Sequence, residues 1–184
     1  MIQIKNAAEL QKMRKACAIS AAALKAGGEA IEPGITTAEI DKIIYDFIVR
    51  HGARPNFLHL YGFPATACIS VNDTVIHGIP NKQQQIRPGD IVSIDTGCKI
   101  DGFNGDNACT YACGKIDLEA QRLLDVTKES LHRGIEMACG GNRVGDIGHA
   151  VQSYVEENGF SVVRTFVGHG VGKELHEDPE VPNF

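Results

Sequence analysis

The 184-residue chain, with 43% hydrophobic and 22% charged residues, is long enough for one sizeable core, and a single domain is the default. A formal charge of −5 without Lys/Arg clusters argues against nucleic acid or an anionic membrane as the main partner. No apolar run is long enough to span a membrane, and Met1–Asn6 lacks a secretory core, so a cytoplasmic location is expected. The six cysteines, at 17, 68, 98, 109, 113 and 139, form no CxxC pair and read as reduced thiols.

Asn6-Ala7-Ala8-Glu9 is a capping signal, and Leu10, Met13, Cys17, Ala21 and Leu24 recur at helical spacing until Gly27-Gly28, which are expected to stop the helix. After Pro33-Gly34, Thr36–Glu39 opens a second helix with Ile40, Ile43, Ile44, Phe47 and Ile48 on its apolar face and His51-Gly52 at its end. An irregular aromatic stretch from Arg54 to Pro64 precedes a strand, Ala67–Val71, and Asn72-Asp73 turns it towards Val75–Pro80. A polar loop follows, from Asn81 to Gly89. Asp90–Gly97 and Asp106–Gly114 then read as two strands, joined by a Gly-containing connection over Cys98–Gly105. Asp117 caps a third helix running to about Cys139, with Leu124, Leu131 and Ile135 inward; a fourth covers roughly Val144–Glu157, and Phe160–Val167 reads as a strand.

An offset of 107 residues lays Gly34 on Gly141, Glu39 on Asp146, Ile40 on Ile147, Phe47 on Tyr154 and Gly52 on Gly159, which predicts a duplicated helix, helix, strand unit. Under that offset the counterparts of Asp95 and Asp106 would fall near 202 and 213, beyond the last residue.

Each of the two paired runs carries one costly aspartate. Asp95 sits among Ile91, Val92 and Ile94, and Asp106 precedes Ala108–Tyr111, with no Lys or Arg in either run to pair it. Two carboxylates brought together across a strand pair would suggest a metal; the plainer alternative is that Asp95 caps a turn with Thr96-Gly97 and Asp106 turns with Gly105. Further on, Gly168-His169-Gly170-Val171-Gly172 places His169 between glycines with nothing beside it to pack, which favours a ligand role, while His176 beside Glu177-Asp178 and His77 in Ile76–Pro80 stay ambiguous on their own. His51, His59, His132 and His149 read as structural or solvent-facing. Two aspartates and an imidazole make a hard, oxygen-rich set suited to manganese, iron, cobalt or zinc, and two bridged ions would support hydrolysis.

Ala67–Asp73 with His77-Gly78-Ile79-Pro80, then Ser93–Gly97, Asp101–Asp106, and Gly168–Gly172 with His176–Pro179 closely resemble type I (bacterial-type) methionine aminopeptidase, over essentially the whole chain. The resemblance implies an α/β pita-bread fold with pseudo-twofold halves and a cytoplasmic enzyme that removes the initiator methionine from nascent chains with two divalent metal ions. Carried over by position, it implies that Asp95 chelates one metal, Asp106 bridges both and His169 binds the second. It likewise implies that His77 contacts the scissile amide, that His176 stabilises the tetrahedral intermediate, and that Phe63, Cys68 and Leu175 line the methionine pocket. It further implies an encounter with the ribosome and a monomeric state for the complete domain. Leu58–Tyr61 departs from the Tyr- and Gly-containing pattern common there, and Asn104 stands where His is often seen.

The family pattern continues past Phe184 with two glutamate ligands, so residues 1–184 are expected to form one catalytic domain whose second half is incomplete, with three of five ligands present and weakened metal binding. An Xaa-Pro aminopeptidase-like hydrolase and a non-catalytic peptide-binding homologue are the alternatives; the apolar pocket residues disfavour the first, and the intact Asp95, Asp106, His169, His77 and His176 the second.

Overall fold

A computed structural model describes all residues, Met1–Phe184. The chain forms two compact units, one of Ile4–Ile116 with Val171–Leu175 and one of Met1–Gln3, Asp117–Gly170 and His176–Phe184.

In the first unit, α1 (Ala7–Glu29) and α2 (Thr37–Arg50) both open on complete capping boxes, Asn6 with Glu9 and Thr36 with Glu39, which satisfy amide groups that the first helical turn leaves without partners. α2 buries Ile40, Ile44 and Ile48 completely, as its periodicity predicts. α1 departs from prediction twice. It runs through Gly27-Gly28 instead of stopping, and its inward face is Ala16, Ser20, Ala23, Leu24, Gly27 and Gly28, with Ala21 exposed. Small residues are needed because neighbours come close: a Cβ on Gly27 would lie 2.7 Å from Cδ1 of Ile44, and one on Gly28 would lie 2.2 Å from the Tyr111 ring.

The four-stranded antiparallel sheet of this unit is built on β3 (Ile91–Ile100), which pairs with β1 (Arg54–Pro55), β2 (Ala67–Val71) and β4 (Phe103–Ala112). The β3–β4 hairpin is longer than expected: Cys98–Ile100 and Phe103–Gly105 are paired strand, and the connection is only Asp101-Gly102, both at positive φ (53° and 82°). That two-residue left-handed turn matches the twist of the strands it joins. Ile69, Val92 and Ile94 meet the α2 isoleucines in one core.

At Gly105 β4 touches the backbone of α1, and an added Cβ would lie 2.5 Å from C and O of Ala16. Backbone cannot swing aside as a side chain can, so Gly105→Ala should lower stability by about 2 kcal/mol or more. A urea titration checks this, with a lower midpoint at unchanged slope as the expected result.

The second unit holds α3 (Leu118–Met137), capped by Asp117, α4 (Val144–Glu157), and the antiparallel pair β5 (Gly168–Gly170) and β6 (Glu177–Val181). The offset of 107 relates both ends of α2 to both ends of α4, and Gly34 and Gly52 to Gly141 and Gly159, all four at positive φ. The repeat is therefore structural. Two expectations fail here. Leu131 and Ile135 are each 58% exposed, because α3 turns Val126, Ser130 and Gly134 inward, and a Cβ on Gly134 would lie 2.9 Å from Cγ2 of Val151 in α4. Phe160–Val167 is not a strand: no neighbour pairs with it, and the Asn183 amide donates instead to the carbonyls of Val163 (2.9 Å) and Phe166 (3.3 Å). No helix is long and apolar enough to cross a membrane.

Candidate active site

The register of the hairpin sets the acidic pair. Asp95 lies opposite Ala108 and Gly97 opposite Asp106, so the two aspartates project from one face of the sheet as diagonal neighbours, Asp95 standing two residues along β3 from the glycine that faces Asp106. Neither is a turn residue, which removes the plainer sequence reading; the turn carboxylate is Asp101, paired with Lys15 at 2.7 Å. Burial, the negative charge of Asp106 and a hydrogen bond between the two side chains push the Asp95 carboxyl up to about 7. The pair therefore holds a proton near neutral pH, and no cationic side chain is among the groups that shift Asp95. Two crowded carboxyl groups sharing a proton are a donor set that fits a hard divalent ion, since the ion displaces the proton and removes the repulsion.

On the other edge of β3, Cys68 of β2 lies directly opposite Asp95. Burial and then the nearby Asp95 and Asp106 charges push its thiol up to about 12, so at neutral pH it is a small apolar wall rather than a thiolate. Cys68, Leu175 and Phe57 are buried in one apolar cluster, with Leu60 and Phe63 packed against it. All three residues expected to line the pocket are thus gathered beside the acidic pair. Phe57 and Leu60 were missed, although their aromatic and apolar neighbours in the irregular Arg54–Pro64 stretch were the available signal.

His77 follows β2 on a loop pinned at the next residue. The Gly78 amide donates to Oγ of Ser70 (3.0 Å), its carbonyl accepts from the Ile69 amide (2.8 Å), and a Cβ there would lie 2.2 Å from the Ile69 carbonyl oxygen. This anchorage forces His77 to φ +56°, a region a non-glycine residue enters only when its surroundings demand it, and the imidazole is exposed.

In the second unit, His169 on β5 and His176 just before β6 stack edge to face, with ring centroids 4.4 Å apart. Nδ1 of His169 lies 2.9 Å from the Gly170 carbonyl, which as an acceptor places the proton on Nδ1. The β5–β6 register slips between His169 and Gly170, a bulge of the kind that re-aims a side chain. No group of three or more His, Cys, Asp or Glu side chains stands together as a metal cage; the structure presents a carboxyl pair in one unit and an imidazole pair in the other.

The family model "Metallopeptidase family M24" matches residues 11–184. A methionine aminopeptidase of Clostridium perfringens is 53% identical over 184 residues, spanning 100% of this chain and 74% of that protein. The crystal structure of methionine aminopeptidase from Thermotoga maritima superposes with a TM-score of 0.98 at 41% identity, over 100% of this chain and 74% of that one. Prolidase from Pyrococcus furiosus shares the α/β pita-bread fold at 24% identity, with a TM-score of 0.85 over 98% of this chain and 52% of its own. With a family model matching residues 11–184 and relatives of this identity and coverage, the chain, with its crowded carboxyl pair beside an apolar cluster, belongs to metallopeptidase family M24.

Proposed function

We propose that this chain hydrolyses the peptide bond after an N-terminal methionine, using a pair of divalent ions held by Asp95, Asp106 and His169. The observation that carries the reading is the placement of Asp95 and Asp106 as diagonal neighbours on one face of the sheet, with Cys68 of the apolar Phe57, Cys68, Leu175 cluster directly opposite Asp95. Metal ions bound there would activate a water and polarise the scissile carbonyl. Two carboxylates and a nitrogen suit manganese, iron, cobalt or zinc. Asp106, whose side chain hydrogen-bonds that of Asp95, is the candidate bridge between the ions. His77 would hold the scissile amide from its fixed loop, and His176 would donate to the developing oxyanion. Phe63, Cys68 and Leu175 would receive the thioether, an unbranched chain that fits a slot walled by a neutral thiol and apolar groups. The partner on this reading is the N-terminal methionine of peptides and of nascent chains at the ribosome, in the cytoplasm.

The test is methionine release from Met-Ala-Ser, titrated with manganese, cobalt or iron, beside Asp106→Ala. Release should rise with metal and fall at least about a thousandfold in the variant, as expected when an electrostatic centre is removed. Release that is indifferent to metal, or equal in Asp106→Ala, would overturn the reading.

A further inference from the structure

Asn104 is 2% exposed and the one carboxamide among the buried polar side chains. It lies on β4 two residues before Asp106, and nothing in the chemistry above uses it. Its Nδ2 donates to the carbonyls of Gly172 and Lys173, 3.0 Å each, while its backbone amide donates to the same Gly172 carbonyl at 2.8 Å. From the adjoining strand, Lys99 donates to the Lys173 carbonyl as well. The turn is closed internally by the Gly172 amide on the Glu174 carbonyl at 3.0 Å, and the Lys173 ammonium pairs with Glu9, 2.9 Å away in the α1 cap. Leu175, the residue after this turn, belongs to the apolar cluster with Phe57 and Cys68, all within the same compact unit.

A primary carboxamide is the side chain suited to this place. It offers two N–H groups on one nitrogen to two successive carbonyls and keeps an acceptor, Oδ1, which Asn56 Nδ2 approaches at 3.4 Å. Losing the Nδ2 donors would take one of two hydrogen bonds from each carbonyl, leaving Gly172 held only by the Asn104 backbone amide and Lys173 only by the flexible Lys99 side chain.

We propose that Asn104 is a positioning residue for substrate selection: by fixing the Gly172–Glu174 turn it sets Leu175 against the pocket and so determines how sharply methionine is preferred. This rests on the methionine-pocket reading above. The proposal separates two jobs on one strand, since Asp106 serves the chemistry and Asn104 the fit of the side chain.

The test compares Asn104→Asp, which keeps the shape and removes both donors, with Asn104→His, which restores one N–H, and with Ser20→Ala. The last loses a different buried hydrogen bond to the same sheet, from Ser20 Oγ to the Thr96 carbonyl at 2.9 Å. Hydrogen exchange of the metal-free protein is read at amides 172–175, and kcat and KM are measured for Met-Ala-Ser and Leu-Ala-Ser with manganese. Asn104→Asp should speed exchange there by about tenfold or more, a shift on the scale of one or two lost buried hydrogen bonds. It should also raise KM for the methionine peptide more than it lowers kcat, and cut the methionine-to-leucine ratio of kcat/KM about tenfold, the scale of a slightly misfitted pocket. Asn104→His should recover part of each change, and Ser20→Ala should lower the melting temperature with neither. Unchanged exchange in Asn104→Asp, or an unchanged ratio, overturns the proposal. If Leu175→Ala also leaves the ratio unchanged, the pocket reading fails rather than the role of Asn104 in the turn.

Discussion

Asp95→Asn will make the metal-free protein more stable above pH 7 and at the same time abolish metal-dependent hydrolysis. The Asp95 carboxyl is raised to about 7 in the folded chain by burial and by Asp106, against about 3.9 for an unfolded aspartate. A folded state that holds its proton more tightly is favoured at low pH. The contribution of Asp95 is therefore fully present below about pH 4 and lost as pH rises through the folded value, with a slope near 1.4 kcal/mol per pH unit in between. Asparagine has the same shape and never ionises, so the difference between variant and wild type should be near nil at pH 4, grow through neutrality and level off above pH 7 at a few kcal/mol. Urea unfolding in EDTA at pH 4, 5, 6, 7 and 8 reads that difference directly; a gap that does not widen with pH would refute the account. Added manganese narrows that gap, because an ion bound only to the folded state at a hundred times its Kd contributes about 2.7 kcal/mol, which the wild type gains and the variant does not. On this account the same repulsion that weakens the empty protein would favour a bound cation.

The parts of this site that were legible in the sequence are those whose physics is local. A carboxylate in an apolar run has few outlets, so Asp95 and Asp106 stood out before any partner was known. Helices α2 and α4 were legible because a 3.6-residue period sits in contiguous residues, joined in α2 by the capping box of Thr36 and Glu39, and their shared offset then revealed the repeat. What escaped depends on partners distant in sequence. Gly27 and Gly28 look like a helix stop, and only the closeness of Ile44 and Tyr111 shows them to be contact residues inside α1. Cys98, Asn104 and Gly105 have the composition of a loop, yet all three lie on paired strand because a two-residue turn at Asp101-Gly102 lets the hairpin run on past them. Asn104 stood out only as standing where His is often seen, and nothing near it in sequence told its role, which is to donate to two carbonyls almost seventy positions later. Phe160–Val167 erred the other way, with strand propensity and no strand to pair with.

His77→Gly and His77→Ala should lose activity alike and differ in stability, and that contrast isolates what the loop holds in place. Both variants delete the imidazole, so any contact it makes is lost equally from each. A positioned histidine that hydrogen-bonds the reacting amide is worth about a hundredfold to ten-thousandfold in rate, and both should fall by that order in kcat/KM. The backbone separates them. At φ +56°, imposed by the anchorage of Gly78 on Ile69 and Ser70, alanine bears the left-handed cost of about 1–2 kcal/mol, which glycine does not. The glycine variant should therefore unfold at the higher urea concentration of the two, and His77→Asn, which tolerates this region and offers an amide donor, should sit between them in stability and above both in rate. Equal stability of the glycine and alanine forms would mean that the loop relaxes when the ring is gone. Wild-type activity in either would remove His77 from the reaction. If the expected order holds, the strained backbone is the means by which an exposed ring is kept in one place: Gly78 admits no Cβ against Ile69, so the loop cannot shift along β2 to relieve His77 without breaking both of its hydrogen bonds to the strand.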